Sequence, residues 1–564
     1  MRRPKSTTGV ALSGGGSRAY VAGLSQLAAL EQLGLLSSVD HVAGVSGGAW
    51  AAAVHTWGSR RPQGALIEPE HLDWPALRHM PADVPHGAMS RGSLVRRLVR
   101  GLVGGQPPYE AWRAALDTTL LLPLGIPENA GFAWSAGTYR QLPRPARNSP
   151  TPHLLVAIQG PRQLAPFDLS QRCFGGLDIT PSAARCLPAA TPMMYTGRPA
   201  GPRAALSTLR RSLTALPILH VPAPRGRTQS TTQSSSSVPP FTLADALAVT
   251  SFFPGAALAT ACNERGWRVR RWLGRRWRCT IPAGALLSAG PDAAAAAAAA
   301  AAGVSSEAAS EAAAAQEAAQ EAADDDEEFL LADGGSVANM PLPLLLGHPT
   351  AATRVLALFN VGEPLPSAAQ WEPSAQLPPP STGIAVSEDL AALFGVLPAT
   401  PNPSKDLQRA ACFEAAQFAP LMRELQQSLA SGRGAVATTR LRTVANPWWG
   451  IRPGTEVTVC WSYICRAPTW ERRLPLPVRR ALAPPSTATQ SQLGDASRAS
   501  VLRYVRSLSA DAVRAVRSSR PLDGLPQFPL TRLRLSNVEA NALYQVSGWV
   551  VKEHAEEMRE LLVG

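Results

Sequence analysis

Apolar and polar positions fall into a repeating order at the start of this 564-residue chain. Residues 8–13 are a short apolar run, centred on Val10, Ala11 and Leu12, that ends in glycines. A run of that length bounded by turn formers predicts a buried strand. From Arg18 to Leu33, apolar residues recur at Tyr20, Leu24, Leu27, Leu30 and Leu33, and Gly34 supplies a stop. That spacing is one helix face with a C-terminal glycine. Val42–Val45 is a second apolar run, and a second helix starts at Gly47. Strand, helix, strand and helix in so short a span predict a parallel α/β sheet with crossover helices.

Further along, the pattern is interrupted. Residues 60–150 are rich in Pro, Arg and Gly and read as irregular, with a helical patch over 110–121. Residues 152–158 read as another core strand, and 241–254 as a helix ended by Pro254. Phe329–Asp333 reads as a strand followed by a tight turn and a helix, and 353–360 as one more buried strand. Residues 435–466 alternate, with Trp448, Trp449 and Trp461, and predict one or two hairpins. Residues 535–560 have an amphipathic helical pattern. Low-complexity or loop composition marks 226–240, 284–328, 364–384 and 484–500. The second of these is mostly alanine with Glu and Gln, a helix-forming composition with no large side chain to dock on a core. No internal repeat is present. The expectation is one α/β domain over 1–564, its core in 7–60 and 240–362, with insertions between and a C-terminal β-hairpin and helix region.

Composition changes this picture little. The formal charge is +13, which invites a nucleic-acid or anionic-membrane partner. Nearly all of it is arginine, lysine occurring only at 5, 405 and 552, and Ala, Pro and Gly are also heavily used. That is the bias of a GC-rich coding sequence, and no nucleic-acid partner is expected from it. Seven scattered cysteines without a CxxC pair favour a reducing compartment. No segment reaches the ~18 apolar residues of a membrane span, and the first strand leaves no room for a leader. The expected location is cytoplasmic, with reversible membrane contact.

Two glycine-rich turns carry the candidate chemistry. Gly44-Val-Ser46-Gly-Gly48 lies between a strand and a helix. A sharp turn there lifts a serine Oγ clear of the backbone, flanking glycines relieve collision, and the helix dipole faces developing negative charge. Gly14-Gly15-Gly16 also lies between a strand and a helix, where bare N–H groups converge on an oxygen. Arg18 adds a cation in the first helical turn. The spacing Gly14-x-Gly16-x-x-Ala19 also fits a dinucleotide fingerprint, but that motif needs an acid at the end of the second strand. Ser46-Gly47-Gly48 stands there instead, and no nucleotide cofactor is expected.

A nucleophilic serine needs a base. His348 and His554 follow in sequence but sit in no glycine-framed loop, and read as surface or packing residues. Asp333 ends an apolar strand and is followed by Gly334-Gly335, which lets the carboxylate approach a serine on a neighbouring strand end. All three motifs then sit at the carboxyl ends of parallel strands, where α/β sheets collect their sites. A carboxylate of ordinary pKa, about 3.9, is a weak base for an alcohol, so the pairing calls for a desolvated pocket and strong oxyanion donors.

Together, Ser13–Ala19, Gly44–Gly48 and Asp333–Gly335 resemble the motifs of the patatin-like acyl hydrolases, and more closely the catalytic domain of the group-IV cytosolic phospholipases. Weaker similarity lies in Thr250–Pro254, Asn339–Pro343 and the stretch from Phe528 to Trp549. The resemblance implies a patatin-like, mostly parallel sheet flanked by helices. It implies a Ser46–Asp333 dyad, an oxyanion hole from the amides of Gly15 and Gly16, and Arg18 supporting the oxyanion or a substrate phosphate. Gly44 and Gly48 frame the nucleophile. The implied substrate is a phospholipid or lysophospholipid, with no cofactor and no metal. A neutral-lipid esterase and a catalytically silent lipid-binding scaffold are the alternatives. Residues 60–230 and 365–520 do not align with the family, and the Ala-rich insertion is not a feature of it.

Arg265, Trp267, Arg268, Arg270, Arg271, Trp272 and Trp277 form one dense basic and aromatic stretch. Trp with Arg suits an anionic membrane surface. A two-stranded ribbon with a solvated charged face is the reading preferred for it.

Overall fold

A computed structural model describes residues 7–58, 66–126, 150–178, 242–251, 280–282, 328–398, 407–482 and 522–564, with short gaps inside these spans. The Arg265–Arg278 stretch, Pro254, Trp448 and the segments 226–240 and 484–500 lie outside the described residues, as does all but the last residue of 284–328.

The strands are β1 (Thr8–Leu12), β2 (His41–Val45), β3 (Thr151–Gln159), β4 (Leu164–Ser170), β5 (Cys173–Phe174), β6 (Leu177–Asp178), β7 (Thr280–Pro282), β8 (Glu328–Asp333), β9 (Arg354–Phe359), β10 (Ala435–Arg442) and β11 (Glu456–Tyr463). Their order in the sheet is β10-β11-β9-β1-β2-β3-β4-β5-β6, with β8 paired to β3 and β7 to β8. The five strands from β11 to β3 are mutually parallel, and the flanking pairs are antiparallel. The expected mostly parallel sheet is present. The predicted hairpin is β10–β11, and its second strand adds directly to β9, so it extends the central sheet.

The alternation along each central strand explains why both faces are covered. Val10, Leu12, Val42, Leu154, Val156, Leu356 and Leu358 point into one core. Ala11, Ala43, Val45, Leu155, Ala157, Val355, Ala357 and Phe359 point into the other. Side chains alternate with period two, so strands apolar at every position must be sandwiched between helical layers.

The principal helices are α1 (Gly16–Gln32), α2 (Gly47–Trp57), α3 (Ser93–Val103), α4 (Pro108–Leu116), α5 (Leu243–Thr250), α6 (Leu342–Gly347), α7 (Phe418–Ser431), α8 (Asn537–Glu553) and α9 (Ala555–Leu562). α1 is buried at every residue from Gly16 to Leu30. One side lies on the sheet and α2, and α8 covers the other, where the Ser25 hydroxyl donates to the Tyr544 carbonyl. The predicted C-terminal helix is two helices, broken at His554. Ser536 and Glu539 begin it with a capping box, worth about 1 kcal/mol. The stretch expected to be irregular contains α3. Its Leu94, Val95 and Leu98 pack inward while Arg96, Arg97, Val99, Arg100 and Leu102 are exposed. The density of arginine there hides the helical period.

Candidate active site

The two glycine-rich turns are folded against one another. Ser46 has φ 50° and ψ −123°, and is the one non-glycine with positive φ among the described residues. Such a conformation costs roughly 1–3 kcal/mol and persists only where the surroundings enforce it. The surroundings here are specific. A Cβ on Gly44 would stand 2.7 Å from the Ala49 backbone, and one on Gly48 would stand 2.5 Å from the Leu12 carbonyl oxygen. A Cβ on Gly47 would collide with the Gly16 carbonyl. The glycines therefore let the start of α2 lie directly on the start of α1, and Gly47 is as necessary to this as Gly44 and Gly48.

The triple glycine is held from behind. Ser13 N–H donates to the Leu358 carbonyl at 3.1 Å and Gly14 N–H to the Asn339 carbonyl at 2.8 Å. Asn360 N–H donates to the Ser13 hydroxyl at 2.7 Å. Gly15 (φ 145°) and Gly16 (φ 58°) turn the chain into α1, whose first-turn N–H groups have no intrahelical acceptor. A Cβ on Gly14 would lie 3.3 Å from the Ser46 Cβ, so this turn and the serine are neighbours.

Arg18 is buried, and its Nε donates to the Asn360 carbonyl at 3.0 Å and its Nη1 to the Phe528 carbonyl. Desolvation pushes its pKa down to about 10 against the pull of Glu363, so it stays charged at neutral pH. These bonds tie the start of α1 to the end of β9 and to the C-terminal segment. Two of its nitrogens thus hold backbone, and a Cβ on Gly15 would stand 2.7 Å from Nη2, at the triple-glycine turn itself.

Asp333 reaches the site by a route the sequence did not suggest. β8 is antiparallel to β3, not parallel to it. β2 pairs with β3 as far as Val45–Leu155, and β8 begins at the next position, Asp333–Val156. β4 occupies the opposite edge of β3 over this span. β2 and β8 therefore meet end to end on one edge of β3, with Ser46 and Asp333 at the junction. The physical reason is length. β3 has nine residues and β2 five, so the upper half of that edge was open for a strand from the other direction. Gly334 packs into the junction, where a Cβ would stand 2.9 Å from a Val45 methyl. Asp333 Oδ1 accepts from Gly335 N–H at 2.8 Å. Ser46 and Asp333 are 9% and 7% exposed, so both lie in a largely desolvated site.

Two residues complete the frame that sequence reasoning did not assign. Asn339 sends its amide Nδ2 to Asp389 at 2.9 Å, and its Oδ1 lies 3.3 Å from where a Gly335 Cβ would be, against Gly14 as well. It bridges the triple-glycine turn and the aspartate turn. Thr250, the last residue of α5, accepts from Ser46 N–H at 3.1 Å and donates to the Leu155 carbonyl at 2.5 Å. The hydroxyl thus pins the strained residue to β3. We expect Thr250→Val, which leaves both groups unpaired, to lower stability by about 1–3 kcal/mol in a denaturant titration; an unchanged midpoint would refute this bracing role. Next to it, Ser251 Oγ accepts from Trp50 Nε1 at 3.1 Å and Trp112 Nε1 at 3.2 Å, fixing α2 and α4 to α5. The signal for both was their place at the head of a stretch of weaker family similarity, Thr250–Pro254 and Asn339–Pro343, which gave neither residue a role.

Among the described residues no set of metal-ligating side chains gathers at Ser46 and Asp333. No described helix is long and apolar enough to cross a membrane.

Fold and site define an α/β protein with a strained serine at a strand-to-helix turn, packed against a second glycine-rich turn. No family model matches the chain, and no curated protein does. Among solved structures it is similar to human GIVD cytosolic phospholipase A2, at 15% identity and a TM-score of 0.36, over 99% of this chain and 60% of that one. The same human enzyme in complex with methyl gamma-linolenyl fluorophosphonate and terbium chloride aligns at 24% identity and a TM-score of 0.18, over 30% of this chain and 23% of that one. The likeness is remote, and this chain spans about 60% of the length of the first.

Proposed function

We propose that the protein is a serine acyl hydrolase acting on fatty-acyl esters of phospholipids or lysophospholipids. The observation that carries this reading is the strained Ser46 at the point where β2 and β8 meet, with Asp333 at the adjoining register position. In the proposed reaction Asp333 takes the Ser46 proton as Oγ attacks the ester carbonyl. The carbonyl oxygen becomes an oxyanion, held by the N–H groups of Gly15 and Gly16 at the positive end of α1. Arg18, charged behind that turn, adds to the same field. Collapse of the tetrahedral intermediate expels the alcohol, which takes the proton from Asp333 and leaves an acyl-serine. Water, deprotonated by Asp333, then attacks the acyl carbon and releases the fatty acid and free Ser46.

Support for a lipid surface comes from α3, where exposed Val99 and Leu102 stand among Arg96, Arg97 and Arg100. An apolar strip edged by cations suits an anionic bilayer. The Arg265–Trp277 stretch has the same composition.

The test is a fluorophosphonate probe on the full chain followed by peptide mass spectrometry. We expect one adduct, on Ser46. A folded protein that takes no label, or takes it elsewhere, overturns the proposal and favours a silent lipid-binding scaffold. A panel of esters differing only in headgroup then separates phospholipid from neutral-lipid substrates.

A further inference from the structure

Three imidazoles and a carboxylate from four chain segments converge at the β2–β3–β4 side of the sheet. His41 begins β2, His153 lies in β3, Asp168 in β4, and His348 directly follows α6. His153 and Asp168 are 1% and 3% exposed. His153 Nδ1 contacts Asp168 Oδ2 at 2.8 Å, and His41 Nδ1 contacts His153 Nε2 at 3.0 Å. The His348 ring stands 5.0 Å from that of His153 and 4.8 Å from that of His41. One potential ligand atom from each of His153, Asp168 and His348 lies within 4.8 Å of the others.

Ordinary core packing accounts for part of this only. A buried carboxylate is normally satisfied at both oxygens. Here Oδ2 meets His153, while Oδ1 is buried with no hydrogen-bond partner among the described residues. A hydrogen-bonded His–Asp pair explains the first contact. It leaves unexplained why a second and a third imidazole should be brought up to the same buried pair by separate segments. A cation placed between them would explain both features.

We propose that His153, Asp168 and His348 form a site for a divalent metal ion of the zinc type, with His41 as its outer hydrogen-bonded neighbour. The donor set is two imidazoles and a carboxylate, which suits Zn²⁺ and its neighbours rather than Mg²⁺ or Ca²⁺. Zn–N and Zn–O bonds of about 2.0–2.1 Å put tetrahedral ligand atoms roughly 3.4 Å apart. Drawing atoms now within 4.8 Å to that spacing takes side-chain rotation of about 1 Å. A fourth position stays open to water. His41, held on its other side by Thr350 Oγ1 at 2.9 Å, orients His153 as second partners of metal-bound imidazoles do.

The ion would tie β3 and β4 to the turn after α6. α6 is the helix that follows the Asp333 turn, and β3 is the strand whose edge brings Ser46 and Asp333 together. The site is therefore structural in position, one strand away from the β2–β8 junction. It does not depend on whether Ser46 is a nucleophile.

The test uses the full chain, stripped with a chelator and titrated with Co²⁺ as the spectroscopic probe. We expect one Co²⁺ per chain with the intense visible bands of a low-coordinate N/O site, displaced by one Zn²⁺, and a higher melting temperature with Zn²⁺ bound. His348→Ala is expected to weaken Zn²⁺ binding at least 100-fold, and His41→Ala by roughly 10–100-fold. Ser46→Ala should bind as the unchanged protein does. His348 is only half-buried, so this variant keeps the fold testable by circular dichroism if Asp168→Asn does not fold. Absence of stoichiometric binding, or equal binding by folded His348→Ala, overturns the proposal.

Discussion

Ser46→Ala is expected to lower ester hydrolysis by more than roughly 10³-fold, the loss that follows removal of a serine nucleophile from a working site. The fold should survive. Alanine keeps a Cβ at φ 50°, so the strain stays, and the bond from residue 46 N–H to Thr250 Oγ1 uses only the backbone. Stability should change by less than about 1 kcal/mol. Ser46→Gly separates the two roles of this position. Glycine reaches positive φ without steric cost, so it relieves a strain of roughly 1–3 kcal/mol while adding about 0.5–1 kcal/mol of chain entropy to the unfolded state. The variant should be more stable by about 1 kcal/mol and as inactive as alanine. A gain in stability with a loss of activity is the signature of strain kept for function. Retained turnover of an acyl ester by purified Ser46→Ala would sink the nucleophile assignment.

Asp333→Asn is expected to cost at least about 10³-fold in kcat, with substrate binding little changed. The choice of asparagine matters. Its Oδ1 can still accept from Gly335 N–H, the bond that shapes the turn at 2.8 Å. What it loses is the capacity to take a proton. The bland alternative for Asp-Gly-Gly is a turn and nothing more, and a turn residue replaced by asparagine would leave activity nearly intact. Activity above about a tenth of the original would therefore reduce Asp333 to a structural role. Fluorophosphonate labelling of Ser46 in the same variant should slow in parallel, since the probe needs the same activated hydroxyl.

Much of the fold was legible because two periodicities dominate the central segments. β1, β2, β3 and β9 are apolar at nearly every position, which announces strands covered on both faces. α1 is bounded by glycines at both ends. The elements that were missed or misjudged share one cause: their surroundings decide them. α3 carries three arginines over 93–103 and becomes a helix by packing Leu94 and Leu98 inward. β10 and β11 look like an isolated hairpin until β9 is seen to accept β11 along its open edge. His348 reads as a surface or packing residue because nothing local distinguishes it, and the side chains placed beside it are 180 and 195 residues away in sequence, at 168 and 153.

The opening glycine turns, the serine between a strand and a helix, and the aspartate after an apolar strand could all be read from residue order. They are local, and local geometry follows from which residues lack a Cβ and which repeat with period two or 3.6. Tertiary structure alone decided how they meet. The register of β3 sets Val45 opposite Leu155 and Asp333 opposite Val156, and it brings β8 in from the opposite direction to the one expected. It also recruited Thr250 and Asn339, whose hydroxyl and amide have no role until two turns more than 200 residues apart in sequence are packed around them. Strand direction and register depend on which edge is left open by neighbouring strands of unequal length. That is a property of the assembled sheet, and no single stretch of the chain contains it.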